Sequence, residues 1–386
     1  MNGMPMRRAL QLTGDSEYGG AGYLIIEWAK FLIRKGWAVD VLTTNALFKQ
    51  ILAGIAGVRV IDHILIPRGI RLKRQAAALF ETVRFLRRER YEVVHTYTAN
   101  AGFVGRIAAR LARVPKIFHH QAGWPVYEAP NAIAKRMYGL LEFGAAMCGG
   151  KCICVSHSVR REGMEVLKIP NSRMVTICNG INPDRMVIGD AAAAKQRLQQ
   201  RYGIPADHVV LGNTSRLARQ KDNATLVLAV KELVHCPAPL ACTLLLAGRG
   251  PEEDEIQALV RELKLTRNVV LCGHVNDIPE FVNGLDIFVN PSLWEGLSIS
   301  LLEAMAAAKP IITTAIGPNL ELIRHRRTGL IVPARDAAAI AEAVRLFSHD
   351  RGLAERCALA ARASVLENFT IEKMLARTLG LYEAAA

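Results

Sequence analysis

The sequence predicts an α/β protein made of two doubly wound parallel sheets, and three observations carry that expectation. Short β-branched and apolar runs alternate with helical stretches along nearly the whole chain, the pattern of parallel strands joined by crossover helices. At 386 residues the chain exceeds one core of ordinary size, and its length implies about two to three units. The alternation breaks once, where the turn cluster Asn179 to Pro183 runs into the polar, Ala-rich stretch Asp184 to Gln199, so the linker is placed there.

In the first half, Arg8 to Thr13 reads as a strand, Gly14 to Gly22 as a glycine-rich turn, and Tyr23 to Arg34 as a helix with Leu24, Trp28, Phe31 and Leu32 at helical spacing. Gly20 and Gly22 match a dinucleotide fingerprint poorly, because Ile25 holds the third-glycine position; backbone approached closely by a ligand is the more general reading. Val39 to Thr43 and Val58 to Ile66 are the next strands. Arg71 to Arg90 is a helix with Leu72, Ala76, Leu79, Phe80, Val83 and Leu86 on one face and Arg71, Lys73, Arg74, Arg84, Arg87, Arg88 and Arg90 on the other. A solvated rim and a basic helix resting on an anionic membrane both fit that face. The alternation continues with strand Glu92 to Thr96, helix Gly102 to Ala112 and strand Lys116 to His119. Helix Pro130 to Met147, its proline in the first turn, precedes Cys152 to Ser156, Val159 to Leu167 and Met174 to Ile177.

The second half repeats the pattern from strand Val209 to Thr214, through Ala224 to Val234, Thr243 to Ala247, Glu252 to Leu263, Val269 to Cys272, Ile278 to Val282 and Asp286 to Asn290. It ends with Ser298 to Ala307, Pro310 to Thr313, Leu330 to Val332 and Ala337 to Phe347. Ligands of such sheets bind beyond the carboxyl ends of the strands, so two halves imply a cleft between two sites.

One stretch gathers candidate chemistry. After the apolar strand ending at Asn290, the loop through Glu295 delivers the backbone of Gly296, Leu297 and Ser298 to a helix start, with Ser298 as N-cap, where a phosphate can be held without side chains. Glu295 and Glu303 would repel that phosphate unless each accepts hydrogen bonds from sugar hydroxyls, which suggests a nucleotide-sugar; a dipole-complementing Glu295 and an exposed helical Glu303 are the bland alternative. Arg216 and Lys221 follow a strand in the same half and could neutralise a diphosphate, though surface basics need no explanation.

Composition bounds the rest. No uninterrupted apolar stretch of about 18 residues occurs; Met137 to Val155 comes nearest and is broken by Glu142 and Lys151. Only Ala9 to Leu12 follow Arg7 and Arg8, too short for a signal-peptide core. The chain is therefore expected to be cytoplasmic, or peripheral on the inner face of the cytoplasmic membrane. The eight cysteines sit mostly in apolar surroundings and read as reduced thiols; Cys148, Cys152 and Cys154 lack the second pair of a structural zinc site. Residues 1–187 hold 27 Lys+Arg against 13 Asp+Glu, and the remainder 22 against 22, so the whole basic excess lies in the first half. That asymmetry points to an anionic partner such as lipid headgroups or a lipid-linked diphosphate, with nucleic acid not expected and a well-solvated surface as the alternative.

These residues resemble the retaining GT-B glycosyltransferases of family 4 that act in capsule, O-antigen, exopolysaccharide and lipopolysaccharide assembly. The likeness rests on Pro291 to Met305 with Glu295 and Glu303 eight positions apart, on Lys309-Pro310 and Gly317 to Glu321, and on Ser215 to Asp222, Leu246 to Pro251, Gly273 to Val275, Thr328 to Pro333 and Asn179 to Asn182. In the first half it rests on Val94 to Thr98 and Ala101 to Pro115. It implies two Rossmann-like domains facing across a cleft: an acceptor domain 1–187, a donor domain 188–366, and a C-terminal helix 367–386 crossing back to the first. By that resemblance Arg216 and Lys221 bind the donor diphosphate, Glu303 the ribose, Gly273, His274 and Val275 the base, and Glu295 the transferred sugar as the catalytic residue. Gly296, Leu297 and Ser298 also hold the donor, with Gly19 and Gly20 closing over the diphosphate. The family's usual His-Gly is replaced here by Ala122-Gly123, leaving His119 and His120 as candidates for the sugar contact. The implied reaction is transfer of a sugar, from a UDP-sugar by preference, to a saccharide or lipid-linked acceptor hydroxyl; a catalytically silent nucleotide-sugar-binding partner and a nucleotide-sugar epimerase are the alternatives. No Asp-x-Asp occurs, so no metal or other cofactor is expected.

Overall fold

The computed structural model describes residues 6–15, 19–67 and 72–384. Arg71, residues 16–18 of the glycine-rich turn and the first five residues, all part of the sequence reading, lie outside the described residues. The chain divides into two compact units, Met1–Cys178 with Met374–Ala386, and Asn179–Lys373.

The first unit runs β1 (Arg8–Gly14), α1 (Gly20–Arg34), β2 (Ala38–Thr43), α2 (Ala46–Ala53), β3 (Val58–Ile61), α3 (Leu72–Glu89), β4 (Val93–Tyr97), α4 (Ala99–Leu111), β5 (Lys116–Gln121), α5 (Ala132–Cys148), β6 (Lys151–Cys154), α6 (His157–Glu165) and β7 (Met174–Thr176). Its seven strands lie in the order β3-β2-β1-β4-β5-β6-β7 and pair in parallel throughout. Leu10, Leu12, Val94, Val104, Ala108 and Phe85 form the core on one side of the sheet. The order reverses between β1 and β4, which opens a crevice at the carboxyl ends of those two strands.

The second unit runs α7 (Ala191–Tyr202), β8 (Val209–Thr214), α8 (Asn223–Val234), β9 (Cys242–Ala247), α9 (Glu253–Glu262), β10 (Val269–Gly273), α10 (Ile278–Asn283), β11 (Ile287–Asn290), α11 (Ile299–Ala306), β12 (Ile311–Thr314), α12 (Gly317–Leu322), β13 (Leu330–Val332), α13 (Ala337–His349) and α14 (Arg351–Asn368). Its six-stranded parallel sheet has the order β10-β9-β8-β11-β12-β13, with the reversal between β8 and β11. Leu211, Leu244 and Val289 from the strands meet Leu226, Val230 and Val344 from α8 and α13 in its core. The alternation of strands and helices thus predicts the right class for both halves.

Several local expectations change. The stretch Asp184 to Gln199 is no open linker: Asp190 caps α7 by accepting from Ala192 and Ala193 N at 2.9 and 3.0 Å, Ala194 and Leu198 are buried, and Gly203 ends the helix at φ +64°. Ala- and Gln-rich sequence is helix-forming as well as polar, and the cap decides. The first unit boundary falls at 178/179, because residues 179–187 fasten onto the second unit. Asn179 Nδ2 donates to Leu297 O (3.2 Å), Asn283 Nδ2 to Met186 O (2.8 Å), and Ile181 bridges to Thr370. A side chain at Gly180 would place a Cβ 2.3 Å from Thr370 O, so that bridge requires glycine.

β3 stops at Ile61 rather than Ile66. Helix α5 starts after Pro130, with Asn131 as N-cap accepting from Ala134 N at 2.9 Å. Helix α3 buries Ala78, Thr82, Phe85 and Leu86, leaving Phe80 69% exposed, so its inner face is rotated from the expected one. Helix α14 continues the chain beyond Ala337 to Phe347, where the expected alternation ends. The last helix, α15 (Ile371–Glu383), ends in the first unit with Tyr382 fully buried. Tyr382 Oη accepts from Gln11 Nε2 (3.3 Å) and Trp28 Nε1 (3.0 Å) and lies 2.8 Å from His95 Nδ1, while Phe118 stacks on its ring. No described helix is long and apolar enough to cross a membrane, and all eight cysteines are free.

Candidate functional site

The loop after β11 is built by its own polar residues. Asn290 Oδ1 accepts from Ser292 N (3.3 Å) and Ser292 Oγ (2.6 Å), which turns the chain out of the strand. Thr314, at the end of neighbouring β12, donates its hydroxyl to Ser292 O at 2.5 Å. On the other side Leu293 N donates to Gln220 O and Gln220 Nε2 to Trp294 O, both at 2.8 Å. The loop is thereby stitched to the segment after β8, where the strand order reverses and a doubly wound sheet has its crevice.

Glu295 is held in that stitching. Lys221 Nζ forms an ion pair with its Oε1, Ser292 Oγ shares its one proton between that oxygen (2.8 Å) and Asn290 Oδ1, and Gln220 Nε2 approaches Oε2 at 3.5 Å. The Glu295 side chain is 6% exposed and that of Lys221 17%. A lone carboxylate here would repel a phosphate; paired with Lys221 it does not. Two residues expected to act separately are therefore one unit.

Helix α11 begins immediately after. Ser298 Oγ accepts from Leu301 N (3.3 Å) and shares a hydrogen bond with Ser300 Oγ (3.1 Å). That satisfies one of the first-turn donors and leaves the positive end of the helix facing the loop backbone at Gly296 and Leu297. Glu303 lies on the same helix, half-buried rather than exposed. Burial pushes its carboxyl up to about 7, with the charge of Arg185 opposing the rise. A carboxyl so poised gains from any ligand that donates hydrogen bonds to it.

Arg216 stands exposed on the loop after β8. The loop is pressed against the one after β9: Ser215 N donates to Ala247 O and Leu217 N to Arg249 O, both at 3.0 Å. A Cβ at Gly248 would sit 2.0 Å from Ser215 O, so only glycine lets the two loops meet. Gly273 closes β10 at φ +64°, its carbonyl accepting from Gly248 N at 2.8 Å; His274 beyond it is exposed and Val275 buried. Arg216, Lys221, Gly273 to Val275 and Glu295 to Ser298 thus share the carboxyl edge of one sheet.

In the first unit Gly19 is the N-cap of α1 and Gly20 its first residue, three positions before the expected start. They lie at the carboxyl end of β1, and a Cβ at Gly19 would meet nothing within 4 Å. His119 is 2% exposed, its Nδ1 2.9 Å from Thr96 Oγ1, and packs on Gly102 of α4; burial, reinforced by Arg106, keeps it neutral. His120 projects to the opposite face beside Tyr97 and His95, lining a small cavity. The Ala122-Gly123 turn is held by Gln121 Nε2 donating to Gly123 O at 2.5 Å.

Sequence reasoning missed the supports: Gln220, Ser292, Asn290, Thr314, Arg185, and Asn319, whose Nδ2 donates to Thr313 Oγ1 at 2.8 Å. The available signal was the set of small polar residues ending apolar strands, at Asn213, Asn290, Thr313 and Thr314.

Comparison with known proteins gives concordant matches. Residues 194–364 match the family model for glycosyl transferases group 1, and residues 18–185 that for glycosyltransferase family 4. The UDP-Gal:alpha-D-GlcNAc-diphosphoundecaprenol alpha-1,3-galactosyltransferase of Escherichia coli is 27% identical over 320 residues, covering 82% of this chain and 81% of its own. The capsular polysaccharide biosynthesis glycosyltransferase CapM of Staphylococcus aureus is 26% identical over 318 residues, covering 80% and 81%. Among solved structures, Anabaena Alr3699/HepE in complex with UDP and glucose matches with a TM-score of 0.84 at 21% identity, over 97% of this chain and 98% of its own. WaaG, a glycosyltransferase involved in lipopolysaccharide biosynthesis, matches with a TM-score of 0.77 at 17% identity, over 98% and 100%. The structural likeness shows the fold, which is GT-B.

Proposed function

The chain belongs to the family 4 glycosyltransferases, and from that premise we propose that it moves a hexosyl group from a nucleotide-diphosphate sugar to an acceptor hydroxyl with retention at the anomeric carbon. The donor is a UDP-sugar and the acceptor a glycan or lipid-linked saccharide of a cell-surface polysaccharide or lipopolysaccharide. Support for the donor comes from relatives named for UDP-galactose or solved with UDP.

The observation that carries the reading is the Glu295–Lys221 pair at the mouth of α11, with Glu303 about one turn into the helix. Arg216, Lys221 and the backbone N–H groups of Gly296 to Ser298 take the diphosphate, so cations and a helix end meet its charge without a bridging metal. Glu303 accepts from the ribose hydroxyls, and the Gly273 to Val275 loop borders the base. Glu295, freed from part of its pairing as Lys221 turns to phosphate, accepts from hydroxyls of the transferred sugar and stabilises the positive charge that develops on it.

The bond from the anomeric carbon to the diphosphate breaks, the departing phosphate oxygen takes the acceptor proton, and the acceptor oxygen bonds the same face. Calorimetry with a panel of UDP-, GDP- and ADP-sugars, followed by NMR of the product from an α-linked donor, tests this. A UDP-sugar bound most tightly, an α-linked product and turnover indifferent to a chelator are expected. A β-linked product or loss of turnover on chelation refutes the retaining, metal-free mechanism.

A further inference from the structure

The outer side of helix α5 carries its apolar side chains at a spacing unlike that of an ordinary core-facing stripe. Glu142, Ala145 and Ala146 face inward, Glu142 pairing with Arg106 Nη2 at 3.0 Å. Outside, Ile133, Met137, Leu140, Gly144 and Met147 follow one another in alternating steps of four and three residues. That is a strict heptad seam, with Ile133, Leu140 and Met147 at d and Met137 and Gly144 at a, narrow enough for one facing helix and about 21 Å long. The seam is open: Ile133 is 82% exposed, Leu140 70%, Met137 42% and Met147 40%, with Phe143 beside them at 37%.

Two features fit the seam to its own copy. Leu140 is a knob, and Gly144, four residues on, is a hole, since a Cβ there would meet nothing within 4 Å of its own chain. When two copies of α5 lie antiparallel with Leu140 of each over Gly144 of the other, the same register sets Met137 against Met147. It also brings Ile133 to the Gly149–Gly150 turn that follows the other copy's helix. The five exposed side chains present about 500 Å² per copy and about 1,000 Å² in all, the lower bound of a specific interface and the size of a reversible one. Lys135 and Arg136 flank the seam, both exposed. In this register they come beside the C-terminal end of the other copy's helix, whose last carbonyls favour cations but where Arg110 and Arg173 already stand next to Met147 and Cys148. Like charges therefore meet at both ends, and the apolar seam supplies the attraction.

We propose that the partner of this face is a second copy of the chain, and that the two associate reversibly about a two-fold axis through antiparallel α5 helices, with Leu140 of each seated over Gly144 of the other. Such an interface uses the same patch twice and closes on itself, so association stops at the dimer. The contact makes no use of the sugar chemistry, and self-association is read without donor or acceptor, so either reading can fail while the other stands.

Sedimentation velocity of the full chain tests it. A monomer passing into a dimer is expected, with a dissociation constant of about 1 to 100 µM. Raising salt from about 0.05 to about 0.5 M screens the end charges and lowers that constant by about twofold or more. Leu140→Asp raises it at least about tenfold. Gly144→Leu adds apolar surface yet fills the hole, and raises it about tenfold as well. Leu140→Ala combined with Gly144→Leu exchanges knob and hole and restores it to within about threefold of the parent. Each variant keeps a Tm no lower than the parent's, because both positions face away from the core and leucine is the better helix former. A chain that stays monomeric at about 200 µM, a dimer indifferent to Leu140→Asp, or one that added salt dissolves overturns the proposal. So does a dimer tightened by Gly144→Leu, which marks unspecific apolar association. A monomer that sediments with phosphatidylglycerol vesicles gives the seam to a bilayer and also overturns it.

Discussion

Replacing Glu303 with Gln should stabilise the protein at pH 8 while weakening its grip on donor. A carboxyl raised from 4.5 to about 7 resists ionisation by about 3 kcal/mol. The side chain keeps part of its exposure, so about 2 kcal/mol is the expected figure. The sign follows from where the proton sits. Below about 4.5 the carboxyl is protonated folded and unfolded, and the residue is neutral to stability. Between 4.5 and 7 the unfolded chain ionises first, so stability falls as pH rises, and above 7 the full penalty stands.

Urea unfolding of wild type and Glu303→Gln between pH 4.5 and 8, read at the transition of the unit holding α11, should show equal stability at the acid end. The variant should lead by about 2 kcal/mol at pH 8. Calorimetry with UDP-glucose, whose diphosphate does not titrate here, should show wild-type affinity falling about tenfold from pH 8 to pH 6 as the carboxylate fraction falls, and the variant binding weakly at both. A variant no more stable at pH 8 than at pH 4.5 relative to wild type, or wild-type affinity independent of pH, refutes the reasoning.

Three further outcomes follow from the buried groups. Lys221→Met strands the Glu295 carboxylate, which should destabilise by about 3 kcal/mol in thermal unfolding and weaken UDP binding at least about tenfold; adding Glu295→Gln should restore stability but not binding. Glu142→Ala leaves the Arg106 guanidinium buried and unpaired, for a loss of about 3 to 5 kcal/mol with UDP affinity unchanged. Tyr382→Phe removes the hydroxyl shared by Gln11, Trp28 and His95, and urea unfolding should report a loss of about 2 to 3 kcal/mol.

Periodicity and turn residues were sufficient for the class of both sheets, because buried parallel strands are continuous apolar runs whatever surrounds them. The helix start at Ser298 was equally legible, since its cap and glycine turn are local. What the sequence did not disclose was the state of the charged groups. Glu303 looks like any helical Glu until Arg185 and the burial around it are placed. Lys221 and Glu295, 74 positions apart, meet only because β8 and β11 are neighbours in the sheet. Lys309 belongs to the family likeness, yet its Nζ donates to the carbonyls of Asn283 (2.5 Å) and Leu285 (2.9 Å), a supporting role no spacing announces. The polar Asp184 to Gln199 stretch misled because composition alone does not separate a capped surface helix from a linker.

The central claim is that the Glu295 carboxylate serves the transferred sugar rather than the nucleotide. Its direct test is the turnover of Glu295→Gln set beside its UDP affinity. Turnover reduced by about two orders of magnitude or more, with UDP bound within about threefold of wild type, is the predicted result. Turnover equal to wild type would contradict the account, and so would loss of UDP binding in parallel with activity.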